Sequence, residues 1–264
     1  MIFIWGISGK GVLGNNMKLS AIIIAKNSEE LIRGCIESVQ FCDEVIVVDG
    51  GSTDKTVHIA KSLGAIVVEG SPNDFSKQRM VGLQKARGEW VLYVDTDERV
   101  SVQLAEEIQN KFVHFDPRVS VYKVQRKNYY LGNHPWPMVE KLERLFRKKD
   151  LASWYGQLHE SPKFTGLVGE LDGYLLHYTH RDLFSMLVKT NQWSEIEAKL
   201  RFDAHHPEMS WWRFFRVFLT GFFDSYYKQG GWKIGTAGII ESMYQGFSMF
   251  VTYAKLWEMQ QEKK

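Results

Sequence analysis

Residues 89–94 read EWVLYV and lead directly into Asp95, Thr96 and Asp97. An apolar, β-branched run without polar alternation predicts a strand that is covered on both faces, as in a parallel sheet. Carboxylates at positions i and i+2 in the turn after such a strand can point to one side. On its own an Asp-Thr-Asp triplet is common in solvated turns, so its meaning depends on the segments around it.

The segments before this run alternate between strand and helix. Apolar stretches predict strands at residues 19–25, 44–48 and 65–69, and apolar positions three or four apart predict helices at residues 29–40, 54–63 and 75–87. Ser28 is available to cap the first helix, and Gly64 closes the second. Strands that alternate with helices of this length predict an α/β fold, with a Rossmann-like, mainly parallel sheet flanked by helices.

Beyond Val100 the pattern is less regular. Helical spacing recurs at residues 101–112 and 182–203, and strands are predicted at residues 119–125, 142–146 and 171–177. Residues 128–137 are rich in aromatic residues, glycine and proline, which predicts a loop. The basic run at residues 144–149 could face acidic lipid or a phosphorylated acceptor, or it could be a solvated strand end.

Polar residues follow three of the predicted strands. Lys26 and Asn27 come after the first strand, residues 49–54 after the second, and Asp95 and Asp97 after the run that opens this section. Ligands of parallel α/β sheets bind at the carboxyl ends of the strands. A hard divalent cation on a diphosphate needs few carboxylates, because phosphate oxygens supply other ligands. The shared position of these residues therefore favours a metal and nucleotide site over a solvated turn.

Composition indicates one globular catalytic domain. The chain has 264 residues, of which 44% are hydrophobic and 24% charged, within the ordinary range of folded domains. A formal charge of +2 is too balanced to predict binding of nucleic acid. Cys35 and Cys42 cannot build a disulfide framework, and they fit a reducing, cytoplasmic setting.

The two ends of the chain differ from its centre. Residues 1–16 have a lysine only after their apolar start and lack a phosphate-loop ending, so we interpret them as a dispensable leader or a mis-assigned start. We expect the catalytic domain at residues 17–204 and an amphipathic helical region at residues 205–264, which holds 15 of the 36 aromatic residues. Arg213 and Arg216 interrupt its longest apolar run, so we expect no spanning helix. This region could lie on a membrane surface, or it could pack on the core or a partner subunit.

Four segments, taken together and in this order, form a specific sequence pattern. They are SAIIIAKNSEELIRGCIESV at 20–39, DEVIVVDGGSTDKT at 43–56, QRMVGLQKARGEWVLYVDTDE at 78–98 and ERLFRKK at 143–149. On these segments the chain resembles glycosyltransferase family 2, the inverting enzymes of GT-A fold, over about residues 17–203. Within that family it is similar to the branch that includes bacterial lipopolysaccharide core β-glucosyltransferases.

The resemblance implies roles for matching positions. Donor-binding residues would be Lys26, Asn27, Asp49, Gln78, Arg79 and Asp95. Asp97 would bind a divalent metal, Mg²⁺ or Mn²⁺, with Asp95 and His177 as further candidates. Ser52 and Asp54 could instead be helix-capping residues, Arg79 an exposed helix arginine and His177 a structural histidine.

Inversion by direct displacement requires a base that takes the proton of the acceptor hydroxyl. The branch places a His-Glu pair after a segment like Trp154-Tyr155-Gly156, which makes Glu160 the expected base and His159 a residue of the acceptor pocket. Many members carry Glu-Asp at that point, and this chain departs from them. Trp136 could stack on a sugar of the acceptor or anchor its loop by burial.

The implied activity is transfer of a single hexose from a nucleotide diphosphate sugar, a UDP-sugar, to a cell-envelope glycolipid or lipopolysaccharide-core acceptor. The enzyme would be peripheral on the inner face of the cytoplasmic membrane. The QxxRW motif of processive synthases is absent from the sequence. One alternative is a sugar-phosphate nucleotidyltransferase, but AKNSEE stands where that class has a glycine-rich loop. The other is an inactive membrane-associated scaffold, which would show erosion of Asp95, Asp97 or Glu160.

Overall fold

The computed structural model describes residues 18–72, 74–113, 116–156 and 160–262. The expected leader at residues 1–16 and the expected acceptor residue His159 lie outside these ranges. The described residues form an α/β domain built on an eight-stranded sheet, followed by a layer of long helices.

One half of the sheet is parallel and carries the strands predicted from the sequence. Its order is β3-β2-β1-β4, and every neighbouring pair runs parallel. The strands are β1 (Leu19–Ala25), β2 (Glu44–Asp49), β3 (Ile66–Glu69) and β4 (Trp90–Asp95). The helices that connect them are α1 (Ile32–Ser38), α2 (Thr56–Ser62) and α3 (Phe75–Lys85).

The other half of the sheet is mixed. The elements that follow β4 are β5 (Glu98–Val100), α4 (Val102–Val113), β6 (Val119–Tyr130), β7 (His134–Arg147), β8 (Leu151–Tyr155), β9 (Ser161–Phe164) and β10 (Leu167–Tyr178). The sheet continues from β4 as β7-β6-β10-β5. Strand β7 runs antiparallel to β4 and β6, and β10 runs parallel to β6. Strands β8 and β9 form a separate hairpin.

Both faces of the parallel half are buried, as the uninterrupted apolar runs predict. Alternate strand residues such as Ile23 and Leu92 pack against α1 and α4 on one face, whereas Ile22 and Val91 pack against α3 on the other. The predicted α/β fold, with a mainly parallel sheet between helices, is confirmed.

The predicted loop at residues 128–137 is wrong, because this segment belongs to the long β6–β7 hairpin. Tyr130 pairs with His134 across a tight turn in which Leu131 and Gly132 adopt φ of 44° and 88°. Prolines and glycine at the end of the hairpin conceal it, since both residue types usually mark loops.

The first helix also begins later than predicted. Helix α1 starts at Ile32, and the Ser28 hydroxyl donates to the Lys26 carbonyl instead of capping the helix. The expected N-cap role of Ser28 is therefore wrong, and this residue belongs to the loop after β1.

A helical layer follows the sheet, as expected of the aromatic C-terminal region. It consists of α5 (Leu183–Asp203), α6 (Trp211–Phe223) and α7 (Gly235–Glu262). Gly221 and Gly246 let α6 and α7 approach closely, since a Cβ at Gly246 would lie 2.7 Å from the Phe218 carbonyl oxygen. Helix α5 joins them through a hydrogen bond between the hydroxyls of Thr190 and Tyr244. Helix α5, which matches the helix predicted at residues 182–203, thus belongs to this layer.

No helix within the described part of the chain is long and apolar enough to cross a membrane.

Candidate active site

The three polar strand ends meet at one edge of the sheet. Ala25 of β1 lies beside Asp49 of β2, and Ile24 lies beside Asp95 of β4. The hydroxyls of Ser28 and Thr96, 3.3 Å apart, join the loop after β1 to the Asp-Thr-Asp turn. The sheet therefore brings together the segments that the sequence marked as a nucleotide and metal site.

The loops after β1 and β2 hold each other in place. The Ser52 hydroxyl donates to Asp49 at 2.5 Å and accepts a hydrogen bond from the Asn27 backbone N–H at 2.9 Å. The Asn27 side-chain oxygen accepts from the Thr53 backbone N–H at 2.8 Å. Asn27 itself has a φ of 47°, and Lys26 is exposed beside it. Ser52 therefore has a structural role, which is one of the two alternatives that the sequence left open.

Gln78 lies beneath these loops and does not face the edge of the sheet. Its side chain is 2% exposed, and its amide donates to the Ser71 carbonyl at 2.7 Å. A Cβ at Gly50 would lie 2.8 Å from this amide nitrogen, so the tight turn after β2 rests on Gln78. The expected contact between Gln78 and the donor does not fit this burial, and the residue supports the loop instead.

Asp95 is held between two arginines. Arg79 Nη2 donates to Oδ1 at 3.1 Å, and Arg144 Nη2 donates to Oδ2 at 2.8 Å. Burial disfavours the charged carboxylate, but Arg144 and Arg79 outweigh it and keep the pKa of Asp95 well below its ordinary value. Both oxygens of Asp95 are thus already engaged, which favours Asp97 over Asp95 as a metal ligand.

Glu160 is tied to the same arginine. Arg79 donates to Glu160 Oε1 from Nε at 2.9 Å and from Nη2 at 2.5 Å. The guanidinium carbon lies 4.9 Å from the centre of the Trp154 ring and 5.4 Å from that of Tyr93. Arg79 is 3% exposed, so it is not the exposed helix arginine that the sequence allowed. It fixes the expected base against the strand that carries Asp95.

Asp97 faces His177 across a short gap. His177 Nε2 lies 3.3 Å from Asp97 Oδ2, and Lys189 Nζ of α5 lies 3.7 Å from the same oxygen. Burial raises the pKa of Asp97, but the neighbouring His177 overcomes that effect and lowers it to about 2. The carboxylate is therefore ionised under all ordinary conditions.

A buried set of charges behind Asp95 was not anticipated from the sequence. Glu98 is fully buried, accepts from the Asp95 backbone N–H at 3.0 Å, and pairs with Arg144 at 2.7 Å and Arg126 at 3.4 Å. Arg126 pairs in turn with Glu140 at 2.7 Å. Glu98 directly follows the Asp-Thr-Asp triplet, which is the one signal that could have revealed it.

Arg144 corrects the interpretation of the basic run at residues 144–149. Its side chain is buried in the site, and it neither faces lipid nor ends a solvated strand. Burial disfavours its charge, but Asp95 and Glu98 raise the pKa of Arg144 above its ordinary value. Sequence alone does not show which face of this strand is buried, so the burial of Arg144 between Leu142 and Phe146 could not be predicted.

Trp136 is anchored by burial. Its side chain is 2% exposed and meets Tyr130 edge to face, with 4.9 Å between ring centres. Gly231, just before α7, also packs against its ring. Of the two alternatives for Trp136, the structure therefore matches anchoring, because the indole has no accessible face on which a sugar could stack.

Comparison with known proteins identifies the family. The model of glycosyl transferase family 2 matches residues 20–168, more than half of the chain. The chain belongs to glycosyl transferase family 2. The family match starts in β1 and ends in β10, so it includes the polar ends of β1, β2 and β4 together with Glu160, whereas His177 and Lys189 lie beyond it.

Relatives extend the similarity beyond the family match. The chain is 33% identical to an uncharacterized glycosyltransferase of Rickettsia typhi, covering 92% of this chain and 87% of that protein. It is 28% identical to the lipopolysaccharide core biosynthesis glycosyltransferase LpsC of Rhizobium meliloti, covering 92% and 93%. The crystal structure of S. aureus TarS 1–349 is 14% identical with a TM-score of 0.45, covering 94% of this chain and 92% of that one. The expected resemblance to family 2, and with it the assignment as a glycosyltransferase, is confirmed.

Proposed function

We propose that this family 2 enzyme is a metal-dependent inverting glycosyltransferase. It moves a single hexose from a nucleotide diphosphate sugar, a UDP-sugar, to a cell-envelope glycolipid or lipopolysaccharide-core acceptor. The observation that supports this most directly is a continuous chain of ion pairs at the carboxyl ends of the strands. It joins Glu160 through Arg79 to Asp95, which directly precedes the turn that carries Asp97.

Asp97 and His177 fit a divalent cation. The 3.3 Å between carboxylate oxygen and imidazole nitrogen lets both bind one ion. Among the residues described here, no group of three or more His, Cys, Asp or Glu side chains is placed to hold a metal. A diphosphate and water supply the remaining ligands of Mg²⁺ or Mn²⁺ in sites of this kind. When bound, the cation would neutralise charge on the departing nucleoside diphosphate.

The donor nucleotide would occupy the loops after β1 and β2. Lys26, Asn27 and Asp49 lie there, and the hydrogen bonds between the loops fix their backbones before any ligand arrives. Arg79 Nη1 is buried and makes no hydrogen bond to the described residues. Arg79 is as buried as Gln78, so this unsatisfied donor would meet a phosphate oxygen only when donor binding opens the site, while Nε and Nη2 keep Glu160 and Asp95.

Glu160 would act on the acceptor hydroxyl. Its carboxylate takes the proton as the hydroxyl oxygen attacks the anomeric carbon from the side opposite the nucleotide, so the configuration inverts. Arg79 orients this carboxylate and, through Asp95, the turn of β4. Pre-set geometry of this kind supplies a large part of enzymatic rate enhancement.

Two observations support the proposed acceptor class. LpsC, whose name assigns it to lipopolysaccharide core biosynthesis, aligns with nearly the whole chain. Helix α6 also exposes a face of large apolar side chains, with Trp211 at 76% and Phe215 at 67% exposure. The members of this face are Trp211, Trp212, Phe215, Leu219 and Phe223. We infer that this α6 face lies in the interface of the cytoplasmic membrane, on its inner side, because tryptophan and phenylalanine partition there.

The test is a donor panel with purified protein. Release of nucleoside diphosphate is measured for each sugar nucleotide with Mn²⁺, Mg²⁺ or chelator, with deacylated core oligosaccharide as acceptor. We expect one donor to be used, only with metal, and Asp97→Asn to lose turnover. Asp116→Asn, the same change in an exposed ion pair, is the matched control and keeps full activity.

Four results would reject the proposal. Full activity of Asp97→Asn, or equal turnover in chelator, would show that the reaction does not depend on a metal at Asp97. Failure of every donor with the folded wild-type chain would favour the inactive scaffold, and activity on sugar phosphate plus UTP would favour a nucleotidyltransferase.

A further inference from the structure

His177 has a polar neighbour at each ring nitrogen. Nε2 faces Asp97 Oδ2 at 3.3 Å, and Nδ1 lies 2.7 Å from the side-chain oxygen of Asn128. A neutral imidazole carries one N–H and one lone pair, so the partner at one nitrogen determines what the other can do.

The orientation of the Asn128 amide is fixed by Glu140. Asn128 Nδ2 donates to Glu140 Oε2 at 3.1 Å, and Arg126 donates to the same oxygen from Nε at 2.9 Å and Nη2 at 2.7 Å. Burial raises the pKa of Glu140, but Arg126 and its hydrogen bonds lower it below the ordinary value. An ionised carboxylate can only accept, so the NH₂ group of Asn128 must face Glu140.

Only the amide oxygen of Asn128 is then left for His177. Because that oxygen can only accept, Nδ1 of His177 must carry the proton. In the neutral ring the lone pair is on Nε2, directed at a carboxylate that also can only accept. Two acceptors at 3.3 Å repel, so the gap requires either a second proton on Nε2, which then donates to Asp97, or a metal cation between them.

We propose that Asn128 is a positioning residue that holds His177 in the form with Nδ1 protonated, so that Nε2 is free to bind the metal. Glu140 and Arg126 act behind it by fixing the amide. This inference rests on the metal site proposed above. Hydrogen bonds behind metal-binding histidines generally set the ring tautomer and raise affinity.

The fold places these residues in one row. His177 on β10 is paired with Asn128 on β6, and Arg126 on β6 is paired with Glu140 on β7. Directly paired residues project from the same face of a sheet. Asn128 is buried, so water does not compete for its amide. Residues of three strands therefore determine which ring nitrogen of His177 carries the proton.

The first test observes the proton itself. In ¹⁵N-histidine-labelled protein, His177 Nδ1 should show a directly bonded proton protected from exchange, both without metal and with diamagnetic Mg²⁺. His177→Gln assigns the signal. Asn128→Leu should remove the protection, because leucine offers no acceptor. An unprotonated Nδ1 in the wild type, or an unchanged signal in Asn128→Leu, would overturn the proposal.

The second test measures Mn²⁺ affinity by calorimetry, independently of catalysis. Asn128→Leu should weaken binding by about 10- to 100-fold, the usual effect of losing such a partner. Asn191→Leu makes the same change on α5, where the Asn191 side chain accepts only from Lys255 among the described residues, and should bind like the wild type. Equal Mn²⁺ affinity of Asn128→Leu and the wild type would also overturn the proposal.

A second variant covers the case in which Asn128→Leu does not fold. Glu140→Gln keeps the packing but can present its own NH₂ to Asn128. The Asn128 amide is then no longer held in one orientation. Its Mn²⁺ affinity should fall measurably below that of the wild type, and no change would count against the proposal. The proposed function fails separately, if the wild type binds no Mn²⁺ or if Asp97→Asn binds it as tightly.

Discussion

Arg79 reaches Glu160 Oε1 with two nitrogens, Nε at 2.9 Å and Nη2 at 2.5 Å, and so holds the carboxylate in one orientation. Trp154, which stacks on Arg79, lies on β8 of the hairpin whose second strand follows Glu160. Arg79 therefore contacts both strands at one end of this hairpin, through Trp154 near the end of β8 and Glu160 just before β9.

Glu160→Gln should remove transfer and leave donor binding intact. Glutamine keeps the shape and can still accept from Arg79, but it cannot take a proton. We expect kcat to fall by about 10²- to 10⁴-fold, the usual contribution of a general base. The measurements are kcat in the transfer assay and the donor dissociation constant by calorimetry. Activity near that of the wild type would show that the base is another residue.

Arg144→Met should destabilise the fold strongly. Removing one member of a buried ion pair leaves its partners uncompensated, here Asp95 and the fully buried Glu98. The free energy of unfolding should drop by about 3–5 kcal/mol in urea titrations. Arg118→Met breaks an exposed pair with Asp116 and should cost less than about 1 kcal/mol. Similar losses in both variants would contradict the burial of the Arg144 pairs.

Stability should depend on pH through Asp97. The folded-state pKa of about 2 lies below the ordinary value of 3.8, so this contribution is present above the unfolded value and is lost as pH falls toward the folded one. Between pH 5 and pH 3 it should decrease by about 1 kcal/mol. Urea unfolding of the wild type and Asp97→Asn over this range should give curves that converge toward low pH. Curves that stay parallel would show that Asp97 has an ordinary pKa.

Membrane binding should depend on the exposed α6 face. Trp211→Ser with Phe215→Ser removes two side chains whose full burial is each worth about 1.5–3 kcal/mol. Affinity for liposomes in sedimentation assays should fall at least about tenfold. Val102→Ser changes an exposed apolar residue of α4 and serves as the control. Unchanged sedimentation would favour packing of α6 on a partner subunit.

The parallel half of the sheet was predictable because its strands are continuous apolar runs. Residues 19–25 were assigned correctly, and the run that ends at Val94 was displaced by one residue. The polar strand ends followed from the same pattern, since parallel strands must end at one edge.

The charged residues that β6 and β7 contribute to the site could not be predicted from the sequence, for a different reason. Arg126, Glu140 and Arg144 find their partners across strands, and the long hairpin that aligns them contains prolines typical of loops. Single charged residues within a strand give no indication of which face is buried. The roles of Asp95 and Gln78 likewise depend on arginine and backbone partners that sequence spacing cannot reveal.

The turn at Leu131 and Gly132 holds none of the proposed reacting groups, yet it fixes the register of the β6–β7 hairpin. Side chains alternate between faces, so a shift of one residue would turn every side chain of one strand to the opposite side. Arg126 and Asn128 would then leave Glu140, and the histidine and the aspartate turn would lose their supports together. The length of this turn is therefore constrained as strongly as the identity of the residues that touch substrate. A single-residue deletion there would inactivate the enzyme without altering any side chain of the site.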